Sequence, residues 1–198
     1  MTTEAVGVDI GGLRVKAVRL RVENDGDVVV VDRRIVELSD DDRSAAGMSE
    51  CVATMARELG VDSTVGVGIG VTGLIRADQG IVAFSPAFPL WTDYEIGPDV
   101  GARLACPVTV ENDANVFGFA EVRAGAARGL SWVAGFTLGT GVGGALILDG
   151  RLIRGARGMG AEAGHVTVWP DGVVCGCGNR GCIEQYASTQ FLVREADA

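Results

Sequence analysis

The chain has 198 residues, 47% of them hydrophobic, which is enough for one large domain or two small ones with a substantial core. Its formal net charge of −9 opposes binding to the phosphate backbone of DNA or RNA, so we expect no nucleic-acid partner. It contains no apolar run of about 18 residues, the length that a membrane helix needs. The first residues, Met1-Thr-Thr-Glu4, lack the basic segment of a secretory signal. These features predict a cytoplasmic protein without a membrane partner.

Short apolar runs, separated by glycine-rich and polar stretches, predict the following elements. In chain order they are a strand at 5–10, its hairpin partner at 14–22, a strand at 27–36 after the turn Asn24-Asp25-Gly26, a helix from Ser44 through Leu59, a strand at Val65–Val71, a helix at Ile96–Leu104, a strand at Pro107–Glu111, a helix at Ala114–Ala127, and a hairpin of Trp132–Thr137 with Gly144–Leu148 followed by Arg151–Arg154. Ser44 is a suitable helix N-cap, and Gly60 suits the position after the helix end.

The chain carries a weak internal repeat of strand, glycine-rich turn and strand. The first copy starts at Val6 and runs through Asp9 and Gly12 into a second strand, and the other starts at Gly135 and runs through Gly139. Two copies suggest two similar half-structures that face each other across a ligand-binding cleft. Chance similarity between two hairpins in a chain with 30 glycines is the alternative.

The two glycine-rich turns are candidate phosphate-binding loops. Gly139-Thr-Gly-Val-Gly-Gly144 matches the dinucleotide pattern G-x-G-x-x-G, but a strand follows it where a Rossmann fold needs a helix. Lys16 is the sole lysine and follows no glycine, so the chain has no P-loop. Successive backbone N–H groups in such turns can still hold an anion, and Asp9 and Thr137 would stand at the mouths of the turns. Ordinary hairpin turns are the alternative.

The segment Glu111-Asn112-Asp113 follows a predicted strand and precedes a predicted helix. A carboxylate at the carboxyl end of a strand points into the region where α/β proteins bind ligands. Asp113 could equally cap the helix that follows. The segment by itself leaves both roles open.

A histidine and three cysteines form a complete ligand set for tetrahedral zinc. His165 is the sole histidine, and Cys175, Cys177 and Cys182 are three of the five cysteines. Four protein ligands leave no open position, so this pattern predicts a structural zinc site. Glu162 and Glu184 lie close to the ligands in sequence, and a bound metal would orient their carboxylates.

Core cysteines with an unrelated histidine are the alternative interpretation of that pattern. The remaining two cysteines, Cys51 and Cys106, stand alone in the sequence, and we assign them to core packing.

These motifs together resemble the ROK family of sugar kinases, within the sugar kinase/actin/Hsp70 superfamily. The resemblance extends from about residue 5 to residue 188 and includes the family's two phosphate loops, its catalytic segment and its zinc signature. The matching segments are Asp9-Ile-Gly11-Gly12-Leu-Arg-Val-Lys16, Glu111-Asn112-Asp113-Ala-Asn115, Gly139-Thr140-Gly141-Val-Gly-Gly144, Glu162-Ala-Gly-His165 and Cys175-Gly-Cys177-Gly-Asn-Arg-Gly-Cys182-Ile-Glu184.

The resemblance implies an α/β fold of the actin-like ATPase (ribonuclease H-like) type with two domains. The N-terminal domain would span residues 1–112, and residues 113–198 would begin a C-terminal domain that is incomplete. The implied reaction is ATP-dependent phosphorylation of a hexose, either glucose or an N-acetylhexosamine, with Mg²⁺. The implied partners are a small hexose and a nucleotide, and the full-length family form would be a homodimer.

The resemblance also implies roles for individual residues. Asp113 would be the general base. Asn112, Glu162, His165 and Glu184 would bind the sugar, while His165 also binds zinc with Cys175, Cys177 and Cys182. The nucleotide and its Mg²⁺ would contact Asp9, Gly11, Gly12, Lys16, Thr137, Gly139, Thr140 and Gly141.

Three residues depart from the family pattern. Leu13 replaces a threonine of the first loop, Thr72 stands where a proline is common, and Ala87 replaces an asparagine that usually contacts sugar. Family members also continue well beyond residue 198. A non-catalytic fragment that keeps the zinc fold is therefore one alternative function. A sugar-sensing repressor is another, although we expect no DNA-binding domain because Asp9 lies so near the start.

Overall fold

The computed structural model describes residues 2–24 and 26–196, and the chain forms two compact units, Met1–Asp113 and Ala114–Ala198. The strands of the first unit are β1 (Thr3–Ile10), β2 (Arg14–Val22), β3 (Val28–Glu37), β4 (Val67–Val71), β5 (Leu74–Arg76), β6 (Ile81–Phe84), β7 (Thr92–Tyr94) and β8 (Val108–Asn112). Its helices are α1 (Ala45–Glu58) and α2 (Ile96–Leu104), and α3 (Asp113–Ala124) begins at its last residue. Asp25, in the middle of the predicted turn, lies outside the described residues.

The main sheet of the first unit has the strand order β3-β2-β1-β4-β8. β1, β2 and β3 pair antiparallel as consecutive hairpins, whereas β4 and β8 join β1 in parallel. The helices α1 and α2 bury one face of this sheet, with residues such as Ile10, Val52 and Val100 inaccessible to solvent. The predicted strands and helices of this part are confirmed within one or two residues at most ends.

The cap of α1 forms as the sequence predicts. The Ser44 hydroxyl accepts a hydrogen bond from the backbone N–H of Gly47 at 3.0 Å, which satisfies one of the open donors of the first turn. Gly60, just past the helix, has a left-handed φ of 73° that glycine adopts without strain. Local chemistry therefore defines both ends of this helix.

A second sheet in the first unit, with the order β5-β6-β7, was not predicted. Its strands have only three or four residues, and turns and prolines lie between them. Buried Phe88 stacks on Trp91 in the segment between β6 and β7, with ring centroids 4.0 Å apart. That segment also packs beside the first glycine loop, since a Cβ at Gly12 would lie 3.6 Å from the Cβ of Ala87.

The second unit holds an antiparallel sheet of order β11-β10-β9, formed by β9 (Trp132–Leu138), β10 (Val142–Leu148) and β11 (Arg151–Leu152). Its other elements are α3, a short 3₁₀ helix (Ala163–His165), α4 (Glu184–Ala187) and α5 (Thr189–Ala196). The helix α3 packs closely on β10, because a Cβ at Gly118 would lie 2.6 Å from the Cβ of Ala145. No helix in the part of the chain that the structure describes is both long and apolar enough to cross a membrane.

The helix predicted at Ala114–Ala127 is three residues too long, since α3 ends at Ala124. The Glu121 side chain accepts a hydrogen bond from the Ala126 N–H at 2.8 Å, and the Glu121 carbonyl accepts from Gly125 and Ala127. These bonds turn the chain out of the helix. Likewise the last strand covers Arg151–Leu152 and not Arg151–Arg154.

Candidate functional site

The carboxyl ends of three parallel strands bring the predicted residues of the first unit to one sheet edge. In the ladder, Ile10 of β1 is paired with Val71 of β4, and Val71 is paired with Asn112 of β8. The first glycine loop follows Ile10, and Asp113 follows Asn112. Ligands of parallel α/β sheets bind at this edge, so strand register alone places Asp113 and the loop on the side where chemistry is expected.

Neighbouring elements hold the first glycine loop by its backbone. The Gly11 N–H donates to the carbonyl of Arg14 at 3.0 Å, which closes the turn between β1 and β2. The Arg43 guanidinium donates to the Gly12 carbonyl at 2.8 Å, and the Arg43 carbonyl accepts the Trp91 indole N–H at 2.9 Å. Sequence reasoning missed Arg43, since no motif marks a side chain that binds a backbone carbonyl 31 residues away.

Asp9 and Lys16 face each other across the β1–β2 hairpin. Their Oδ2 and Nζ atoms are 3.1 Å apart, and both side chains are half exposed. A single accessible carboxylate suits Mg²⁺, which usually takes one or two carboxylates and completes its shell with water and phosphate oxygens. The pair places one cation and one carboxylate, both accessible to solvent, at this end of the hairpin.

Asn112 connects β8 to the turn after β4. Its Nδ2 donates to the Gly73 carbonyl at 3.1 Å, and its backbone N–H donates to Glu111 Oε1 at 2.9 Å. Gly73 has a φ of 125°, and a Cβ there would strike the backbone of Phe84 and Ser85, so only glycine suits the position. Asp113 is the first residue of α3 and is partly buried.

The second glycine loop, Gly139–Gly141, connects β9 and β10. The Gly139 N–H donates to the Gly141 carbonyl at 3.0 Å, which closes the turn, and Thr140 is exposed at its tip. Thr137 faces Gly143 on the next strand, where a Cβ would lie against the threonine hydroxyl. Both predicted glycine turns are therefore hairpins, one in each unit.

The predicted metal ligands come together in the second unit. The donor atoms of His165, Cys175, Cys177 and Cys182 all lie within 4.8 Å of one another. Cys175 Sγ is 3.6 Å from His165 Nδ1, and the Sγ atoms of Cys177 and Cys182 are 3.8 Å apart. Bonds of about 2.3 Å to sulfur and about 2.0–2.1 Å to nitrogen put these edges of a zinc tetrahedron at about 3.6 and about 3.8 Å. The donor set thus fits tetrahedral zinc.

The environments of the thiols differ. The backbone N–H of Asn179 lowers the pKa of the exposed Cys177 thiol, whereas burial raises the pKa of Cys182 to about 12. An exposed Cys177 opposes the alternative of a purely apolar cysteine core. Cys51 and Cys106, by contrast, pack against the core of the first unit, as expected.

The two predicted glutamates near the ligands take different positions. Glu162 is exposed, just before the 3₁₀ helix that carries His165. Glu184 is half-buried at the start of α4, where its Oε2 accepts the Val142 N–H at 3.0 Å and its Oε1 lies 4.0 Å from Cys175 Sγ. Of the two glutamates predicted to bind sugar, Glu184 is thus also hydrogen-bonded to the backbone beside the second glycine loop, which the sequence did not indicate.

Comparison with known proteins gives consistent matches. The sequence matches the ROK family over residues 5–198. It is 36% identical to a glucokinase of Streptomyces coelicolor over 192 residues, which are 96% of this chain and 58% of that protein. It is 38% identical to the xylose repressor of Bacillus subtilis over 130 residues, or 66% of this chain and 33% of the repressor.

Among solved structures, the chain resembles a ROK family glucokinase of Streptomyces griseus in complex with glucose and AMPPNP. The TM-score is 0.81 at 37% identity, with 98% of this chain and 60% of that one covered. The chain therefore spans about 60% of the length of these glucokinases.

Proposed function

Because the chain belongs to the ROK family and has the actin-like α/β fold of its glucokinases, we propose that it forms part of an ATP-dependent kinase that phosphorylates a hexose. Glucose and an N-acetylhexosamine are the substrates we favour. The observation that carries the proposal is the position of Asp113 directly after β8. The last residue of β8, Asn112, is aligned through Val71 of β4 with Ile10, which precedes the first glycine loop.

In this proposal Asp113 is the general base. It accepts the proton of a sugar hydroxyl as that oxygen attacks the γ-phosphoryl group of ATP, and ADP leaves. General bases contribute about 10²- to 10⁴-fold to such rates. Asn112, Glu162, His165 and Glu184 position the sugar, because neutral and anionic acceptors suit a neutral polyol.

The nucleotide phosphates bind the two glycine loops. Backbone N–H groups at Gly12, Thr140 and Gly141 neutralise phosphate charge, and Lys16 and the hydroxyls of Thr137 and Thr140 add to them. The N–H groups of Gly11 and Gly139 close the two turns that present these donors. The Asp9 carboxylate would hold the Mg²⁺ that accompanies the nucleotide, and that ion would neutralise phosphate charge. Phosphoryl transfer needs little from the protein beyond such positioning and charge neutralisation.

The four-ligand cluster holds a structural zinc ion. His165 uses Nδ1 for the metal, since that nitrogen is the one beside Cys175 Sγ, and Nε2 then serves the sugar. Because four protein ligands would fill its coordination shell, the metal would serve structure and not the reaction, and binding it would order the segment that carries His165 and Glu184.

We also propose that a domain boundary lies between residues 112 and 113, that the second domain needs further chain to be complete, and that the full-length form is a homodimer in the cytoplasm. Net charge gives this protein no general affinity for nucleic acid.

Replacing Asp113 tests the central role. Asp113→Asn keeps the size of the side chain but cannot accept a proton, so we expect ATP turnover on the best sugar to fall by about 10²-fold or more. The assay couples ADP release to a panel of hexoses, in a form long enough to be active. Asp78→Asn, at an exposed turn carboxylate between β5 and β6, is the matched control. An Asp113→Asn variant with unchanged kcat would make Asp113 a structural helix residue.

A non-catalytic ROK-fold chain that keeps the metal site is the second candidate. Leu13 and Ala87 favour it, because each replaces a side chain that contacts a ligand in the family pattern. Zinc-loaded protein with no ADP release on any hexose, even when completed with a relative's C-terminal region, would support this candidate. The likeness to a xylose repressor adds a sugar-sensing role, which sugar binding without turnover would support.

A further inference from the structure

The second glycine loop is hydrogen-bonded at both of its ends to the segment that follows the histidine–cysteine cluster. At one end, Oε2 of Glu184 accepts the Val142 N–H at 3.0 Å. At the other, the Thr189 N–H donates to the Gly139 carbonyl at 2.7 Å. Both residues follow the last metal-ligating cysteine, Cys182, by a few positions. The conformation of the loop therefore depends on Glu184 and Thr189, which are 42 or more positions away, as well as on its own turn.

The cluster in turn fixes the position of Glu184. The helix α4 begins two residues after Cys182, and the Gln185 N–H donates to the Cys182 carbonyl at 3.0 Å. The Gln185 side chain lies 3.6 Å from Cys175 Sγ, and Glu184 Oε1 lies 4.0 Å from the same sulfur. A metal that joins Cys175 to Cys182 would hold the base of Glu184 from two sides.

We propose that Glu184 is a positioning residue that transmits the order of the metal cluster to the second glycine loop, so that metal binding sets the conformation of the loop that holds nucleotide phosphate. The phosphate-binding role of the loop rests on the proposed function, whereas the connection through Glu184 does not. The cluster thereby acts on the nucleotide side of the reaction as well as on the sugar.

The glycine at position 141 supports the connection independently. A Cβ there would lie 2.5 Å from Glu184 Oε2, so glycine is what lets the carboxylate reach the Val142 N–H. At Gly139, two residues earlier, a Cβ would meet nothing within 4 Å. Neither glycine has a left-handed φ, so the two positions differ in their neighbours and not in backbone strain.

The test is amide hydrogen exchange at Val142 in the 198-residue chain loaded with zinc. A hydrogen bond to a charged acceptor changes such an opening equilibrium by on the order of 10- to 100-fold. We expect Glu184→Ala to speed exchange at Val142 by about that factor while the zinc content stays unchanged. Glu184→Gln keeps an acceptor oxygen and should restore most of the protection. Gly141→Ala should displace the carboxylate and reproduce the loss, whereas Gly139→Ala should not.

Removal of zinc with a chelator gives the second comparison. Chelation should speed exchange at Val142 strongly in the unmodified chain. It should speed exchange little further in Glu184→Ala, because the mutation has already removed the hydrogen bond through which the metal acts. Glu195→Ala, which removes an exposed carboxylate from α5, controls for charge. Unchanged exchange in Glu184→Ala, or equal chelator effects with and without Glu184, would overturn the proposal. Loss of zinc in Glu184→Ala would also overturn it, by showing that Glu184 serves the metal itself.

Binding of Mg²⁺–ADP separates this proposal from the proposed function. If the exchange pattern holds but the chain binds no ADP even when it is joined to a relative's C-terminal region, the connection is right and the nucleotide role of the loop is wrong. If ADP binds equally to the unmodified chain and to Glu184→Ala while Val142 exchange is also unchanged, the connection is wrong and the kinase proposal stands.

Discussion

At the scale of single residues, two departures from the family pattern occur around one loop. Leu13, in the place of a threonine, is 71% exposed, so most of its apolar side chain faces solvent. Ala87, in the place of an asparagine, lies beside Gly12, whose hypothetical Cβ would be 3.6 Å from the alanine Cβ. Both changes remove hydrogen-bonding groups from the surroundings of the first glycine loop. We therefore expect its affinity for ligand, more than its shape, to differ from that of relatives.

The shape of that loop depends on side chains outside the motif. Arg43 binds the Gly12 carbonyl, and the carbonyl of Arg43 itself accepts the buried Trp91 indole N–H. Trp91 in turn stacks on Phe88. A chain of contacts from an aromatic pair to a backbone carbonyl thus supports the loop, which explains how it can tolerate Leu13.

Glu4 provides a prediction about pH. Its carboxylate accepts hydrogen bonds from Arg21, at 2.7 Å, and from Arg19, and these bonds lower its pKa. A carboxyl with a lower pKa in the folded state stabilises the fold above its ordinary pKa, and that stability is lost as the pH falls through the folded pKa. Glu4→Gln should therefore lower Tm at pH 7, with a difference that shrinks below about pH 4.

Melting curves of Glu4→Gln and of the unmodified chain, recorded at pH 7 and below about pH 4, measure this difference in Tm. Glu37→Gln is a suitable control, because Glu37 is mostly exposed and its contact with Arg14 is longer, at 3.5 Å. Exposed ion pairs contribute little, so this variant should melt like the unmodified chain. If Glu4→Gln lowered Tm by the same amount at both pH values, the loss of stability would come from packing and not from charge.

At the scale of elements, the segment between His165 and Cys182 has little regular structure of its own. It has isolated bridges, Thr167 with Cys182 and Val174 with Arg180, and many of its residues are exposed. Such a segment buries too little apolar surface to become ordered by itself. In many small folds the free energy of metal binding stabilises a segment of this kind. The ligand cluster is therefore the element that we expect to hold this region together.

Replacing one ligand tests that expectation. Cys177→Ala should lose the metal and speed hydrogen exchange across residues 165–184, since structural zinc contributes about 10–16 kcal/mol of apparent binding energy in small sites. Zinc is measured by elemental analysis of protein purified without chelator. Cys106→Ala, at a cysteine packed against the core of the first unit, should keep full zinc content. Protein that contains no zinc before mutation would contradict the metal assignment itself.

The sequence predicts elements well where the signal is local. The β1–β2 and β9–β10 hairpins follow from alternating apolar residues around glycine, and the start of α1 follows from Ser44. The strands of the β5-β6-β7 sheet are too short for a period to show, and α3 ends early because Glu121 bonds the turn beyond it.

The candidate site divides in the same way. Ligand spacing predicts the histidine–cysteine cluster, and its four donor atoms do come together. The hydrogen bonds that stabilise the two glycine loops could not be predicted. Arg43 and Gly12 are 31 residues apart, and Glu184 and Val142 are 42 apart. Nothing in a single sequence marks a pair of residues that meet only after folding.

At the scale of the whole molecule, one edge of the second unit exposes apolar surface. β9 is an edge strand of its sheet, and alternate side chains along it face solvent, with Trp132 80% and Leu138 70% exposed and Phe136 between them. An apolar edge strand presents both unpaired backbone groups and an exposed apolar face, and both favour association with other chains. The glucokinases that this chain resembles are longer, with about 40% of their length unmatched.

An exposed apolar edge strand of this kind should cause the chain to associate with itself. The 198-residue chain should associate in sedimentation experiments as its concentration rises, and Trp132→Lys with Leu138→Lys should weaken that association. Joining it to the unmatched C-terminal region of the Streptomyces coelicolor glucokinase should yield a discrete species with hexose-dependent ATP turnover, because that region would cover β9 and complete the nucleotide site. The same fusion with Asp113→Asn, inactive but equally discrete, is the control. Robust turnover by the 198-residue chain alone, proportional to its concentration and abolished by Asp113→Asn, would show that no further segment is needed.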